Sequence, residues 1–226
     1  MKLKHLFFMD MRFQAKYGFY FLYAVLTVLY VAILHALPRN WTENAAAILI
    51  FSDPASMGLF FMGAIVLLEK SQHTICALAV SPVLAAEYIL AKTASLSAVS
   101  LVVAAVLLSA AGAEHFRPAL LGTFLSSVLF TLCGIIAAAK TASLNQFILR
   151  TVPVEIVCFV PAILHLFQVT PAWLRYYPMN VCMDMISGHS VSAIGIFSVM
   201  AAAAVLFVFS EYRVLKMWDS MGGANL

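Results

Sequence analysis

The chain has 226 residues, of which 64% are hydrophobic and 10% charged, with a formal net charge of +3; ordinary globular domains carry roughly 45–50% and about 25%. Its 13 basic and 10 acidic side chains are too few to coat a water-soluble body of this length, so the surplus apolar surface faces lipid. The small positive charge forms no continuous basic face, which excludes nucleic acid as a partner.

Residues 2–17 predict an amphipathic helix lying along the inner leaflet. Leu6, Met9, Phe13 and Tyr17 form one stripe and Lys2, Lys4, Arg12 and Lys16 fall among the polar positions; Phe8 breaks the pattern, and a loose basic tail is the alternative. The apolar run that follows, 18–37, is too long for the core of a cleaved signal and is expected to remain as a span.

Crossing about 30 Å of hydrocarbon at 1.5 Å per residue takes about 20 apolar residues. Six stretches qualify, near 18–37, 45–68, 88–110, 119–139, 152–168 and 190–210. They lack the alternation of barrel strands, and a spanning backbone must satisfy its own hydrogen bonds, so the expectation is an all-α membrane protein in a single domain. With both termini cytoplasmic, Lys2, Lys4, Arg12, Lys16, Lys70, Lys92, Lys140, Arg150, Arg213 and Lys216 lie inside, and only Arg39, Arg117 and Arg175 outside. That bias sets the orientation.

The connection between spans two and three, LLEKSQHTICALAVSPVLAAEYILAKTASL over residues 67–96, is more than a linker. Glu69 to Thr74 are polar, 75–80 is a short apolar segment able to form a helix, Ser81-Pro82 ends it, and Glu87 and Lys92 open the next span. This pattern describes either a short interfacial helix presenting one edge to a cytosolic partner or a re-entry loop with solvated charges.

The order Glu69-Lys70, Thr74, an apolar segment, Ser81-Pro82 and Glu87-Tyr88 with Lys92 resembles the first cytoplasmic loop of type-2 ABC transporter permeases. His73 stands where that family often has Gly. Ser52-Asp53-Pro54 and Ser143-Leu144-Asn145 place the resemblance nearest the fluoroquinolone-export-type branch. The resemblance implies a docking loop for a separate ABC ATPase at Glu69, Lys70, His73, Thr74, Ser81, Pro82, Glu87 and Lys92. It also implies ATP and Mg held on that partner, a second permease as homodimer or sister chain, and export across the bacterial inner membrane. The chain has no GxxxxGK[ST] loop of its own and no catalytic constellation, so it is expected to bind no cofactor itself.

Asp53, inside the second apolar stretch, has two readings: a pathway residue, or an N-cap preceding a first-turn proline, with 45–52 as an interfacial lead-in. Glu155 reads either as a first-turn acid near Arg150 or as a pathway group. Asn145 and Gln146 offer a second cytoplasmic contact or a plain turn. Phe60, Phe61 and Phe130, with 11 methionines chain-wide, are candidates for an adaptable greasy surface or for packing. Trp173, Tyr176 and Tyr177 in the outer segment read as interfacial anchors, with a substrate gate as the alternative. The six histidines and four cysteines show no metal-ligand spacing. An ion-coupled carrier, which would use Asp53 or Glu155, and a non-transporting scaffold stay open as alternatives.

Overall fold

The structure, a computed structural model, describes residues 2–220. An N-terminal helix, α1 (Lys2–Lys16), precedes the first span, α2 (Phe19–Ala36). Gly18 joins them at φ +76°, a left-handed conformation that costs glycine no Cβ clash and turns the chain sharply from one helix into the next. Next come α3 (Arg39–Ile50), a π turn (Phe51–Ala55), α4 (Met57–Ser71) and the short α5 (Thr74–Ala79). The remainder is α6 (Ala85–Ala111), α7 (Phe116–Ala139), α8 (Leu144–Leu166), a 3₁₀ turn (Ala172–Tyr176), α9 (Pro178–Ile186) and α10 (Ala193–Trp218). Six helices are long and apolar enough to cross a membrane, counting α3 to α4 as one, and no described residue is in a strand.

Two expected boundaries are corrected. The second span, expected near 45–68, begins at Arg39, and the N-cap reading of Asp53 fails with it: α3, the π turn and α4 form one broken helix, Arg39–Ser71, with Pro54 inside it. Local sequence favours a start at Asp-Pro, but Ala46, Ala47 and Ile50 ahead of it are buried against the bundle, and that burial holds the chain helical through the proline. Asp53 therefore caps nothing. The fifth span starts at Leu144, where the Ser143 hydroxyl accepts from the Gln146 N–H at 3.4 Å. Glu155 consequently lies about three turns inside α8. It forms no ion pair with Arg150 among the described residues, because positions five apart on a helix face different sides.

Packing centres on α7 and the broken α3–α4 helix, each with 61% of its apolar stretch buried, against 11% for α2, 22% for α8 and 17% for α10. Glycines let the two central helices touch. A Cβ on Gly58 would sit 1.9 Å from the Thr131 hydroxyl oxygen, and one on Gly134 would sit 2.5 Å from the Gly58 carbonyl oxygen. Close backbone approach of this kind is what holds helices together where lipid removes the hydrophobic drive. Phe51, Phe130 and Phe159 close the same region, with ring centroids 5.4–5.5 Å apart. Helix α9 packs as an inner element: Met179, Asn180, Val181, Cys182 and Met183 are all buried.

Candidate coupling site at the basic end

The basic end of the bundle is built from α1, the end of α4, α5, the start of α6 and the end of α10. Lys92 on α6 is buried and pairs with two carboxylates, Asp10 on α1 and Glu69 on α4, the latter at 2.5 Å. Every charged atom has company. Asp10 also accepts from the Gln14 amide at 2.8 Å and from the Ser95 hydroxyl, and Glu69 accepts from the Tyr88 hydroxyl at 2.7 Å. Buried charges of this kind are tolerated only when paired and fully hydrogen-bonded. The cluster therefore ties α1, α4 and α6 at one point.

Lys70, next in sequence to Glu69, points elsewhere because successive helical residues diverge by about 100°. Its Nζ donates to the carbonyls of Ala138, Ala139 and Thr141 at 3.2, 3.2 and 2.7 Å. A cation on the last carbonyls of a helix satisfies orphan acceptors and complements the helix dipole. It also fastens the α4 end to the α7–α8 loop, so the Asn145–Gln146 region lies beside the 69–82 region. Gln146 accepts from the Ala142 N–H at 3.3 Å and acts as part of the α8 cap, while Asn145 is exposed.

His73 adopts φ +55°, the conformation for which glycine is the usual residue; the left-handed turn forms with histidine, a residue enriched there among non-glycines. It reverses the chain into α5. Ile75 and Leu78 are buried, whereas His73, Ala77 and Val80 are exposed. Thr74 is half-buried and lines a cavity of about 160 Å³ with Leu6, Phe13, Leu78 and the ion cluster. The Ser81 hydroxyl donates to Leu78 O at 2.7 Å, Pro82 is exposed, and Glu87 accepts from the Leu84 N–H at 3.1 Å, closing the α6 start. Trp218 at the end of α10 packs edge-on to Tyr88 at 6.0 Å.

The sequence-derived docking set therefore divides by position. His73 and Pro82 lie on the open side, with Ala77 and Val80, which sequence reasoning passed over. Glu69, Lys70 and Lys92 are interior fasteners. Asp10 was also missed; its signal is the Asp10-Gln14 pair, two polar residues one turn apart on the face that buries Leu6 and Phe13.

The chain matches the fluoroquinolones export permease protein family over residues 1–215. It belongs to that family. Two fluoroquinolones export permease proteins of Mycobacterium tuberculosis, from strains CDC 1551 / Oshkosh and ATCC 25618 / H37Rv, are each 28% identical over 151 residues, covering 66% of this chain and 64% of theirs. The match thus spans less than two thirds of these relatives' own length.

Elsewhere in this family member the pathway candidates do not share one surface. Phe60 is exposed, Phe61 packs edge-on against Phe19 and Tyr23 of α2, and Phe130 is wholly buried in the aromatic cluster. An apolar groove lies instead among α7, α8, α9 and α10, about 660 Å³ in volume, with Cys133, Pro153, Val157, Tyr177 and Val205 on its walls. Tyr177 is fixed there by a hydrogen bond to Val157 O at 3.1 Å, while Trp173 is exposed.

Proposed function

We propose that this multi-pass membrane permease is the transmembrane subunit of an ATP-driven exporter in the bacterial inner membrane. It works as one of two permease halves and moves a small amphiphilic or hydrophobic compound outward. Helix α5 is the docking element for a separate ATPase on the cytoplasmic side. The observation that carries this reading is the construction of α5: a short helix with one open edge, whose flanking segments are fastened by the Lys92 ion cluster to α1 and α6 and by Lys70 to α7. A push on such an element reaches four helices at once, because packed elements move as discrete units. An isolated re-entry loop requires no such bracing. Basic residues concentrated at this end support the orientation.

The test is transport in inverted membrane vesicles containing this chain and its co-expressed ATPase. ATP-dependent uptake of a fluorescent amphiphile is expected, abolished when the phosphate-loop lysine of the ATPase is replaced. Uptake driven by a proton gradient with that lysine replaced would instead favour an ion-coupled carrier and overturn the proposal.

A further inference from the structure

Asp53 lies about 21 Å along the broken helix from Arg39 at 1.5 Å per residue, near the middle of the hydrocarbon. The π turn and Pro54 interrupt the backbone hydrogen-bond ladder there, and broken helices persist inside membranes only where protein covers them or a cavity adjoins them. On α2, Tyr23 and Tyr30 share one stripe and face this break. The Tyr30 and Tyr23 side chains both lie near enough to the Asp53 carboxylate to interact with its charge. Nevertheless, the Asp53 Oδ2 and the Tyr23 hydroxyl are both covered and have no hydrogen-bond partner among the described residues. Tyr23 is only 4% exposed. An ionisable group with an unused acceptor at this depth is costly and needs a partner. The flanking basic residues, Arg39 and Lys70, stand at opposite ends of the same helix.

We infer that Asp53, Tyr23 and Tyr30 form a recognition site for a protonated amine, so that the exported compounds are cationic amphiphiles. The inference rests on the exporter reading above. The ammonium donates to Asp53 Oδ2 and to the Tyr23 hydroxyl oxygen, and the tyrosine faces add cation–π attraction. In the present conformation the site is shut. Helix α2, the least buried span, is the wall able to part from the break, and the π turn supplies the hinge.

The experiment uses the full chain with its co-purified ATPase in phosphatidylcholine nanodiscs and two dansyl sulfonamides of equal shape. One carries a 3-aminopropyl chain, protonated at pH 7, and the other a neutral butyl chain; binding is read by dansyl fluorescence. The cationic probe is expected to bind about ten-fold more tightly, and Asp53→Asn to abolish that preference while leaving the neutral probe within about two-fold of wild type. Equal affinities in the wild type, or a preference that survives Asp53→Asn, overturn the inference. Should Asp53→Asn fail to assemble, the Tyr23→Phe/Tyr30→Phe variant decides: a reduced preference supports the site and an unchanged one overturns it. ATP-driven movement of either probe by the wild type bears on the exporter reading alone, so the two failures are distinguishable.

Discussion

Among the described residues Lys92 is the single cation between two buried carboxylates, and its side chain is 5% exposed. Removing one partner from such a cluster strands charge that water cannot reach. Lys92→Met is therefore expected to lower stability in mild detergent by about 3–5 kcal/mol. Neutralising Asp10 and Glu69 in the same chain is expected to recover most of that loss, because no charge is then stranded. Denaturant unfolding checks both, and a loss below about 1 kcal/mol for Lys92→Met would contradict the burial described. Sequence spacing exposed half of this site. Glu69 and Lys92 stood out as motif residues, but their inward direction depends on α1 folding back over α6, a contact 82 residues apart in sequence. Asp10 was illegible for the same reason. His73 was a departure from a glycine pattern, and only the backbone dihedral reveals that the turn forms all the same.

Among the elements, the spans were legible because length and hydropathy alone decide what crosses a bilayer. Their interruptions were not. Asp53-Pro54 carries the local signature of a helix start, and tertiary burial of α3 overrides it. The α4–α7 crossing was equally hidden, since Gly58 and Gly134 look like ordinary small residues until the backbones meet. Gly134→Val is expected to force α4 and α7 apart and cost about 1–3 kcal/mol or more, seen as a lower unfolding temperature in detergent. Unchanged unfolding would contradict the close approach. For α5, the burial of Glu69 changes which residues report on the proposed docking. Charge reversal at Glu69 breaks the ion cluster and perturbs folding, whereas Ala77 and Val80 on the open edge are free to be altered without touching it.

At the scale of the molecule, buried α7 and the broken α3–α4 helix form a rigid centre around which α2, α8 and α10 keep open apolar faces. A wall so thin on three sides suits the proposed pairing with a second permease. The ion cluster and Lys70 brace the basic end, where the proposed docking would act on that wall. The central claim is that α5 docks an ATPase, and it is tested most directly by gentle purification of the tagged chain from its native membrane, followed by mass spectrometry of what accompanies it. A stoichiometric protein bearing a GxxxxGK[ST] loop is predicted with the wild type, and its loss is predicted with Ala77→Trp/Val80→Asp while unfolding temperature stays unchanged. Absence of any such ATPase in several mild detergents, or its full retention by the α5 variant, would contradict the account.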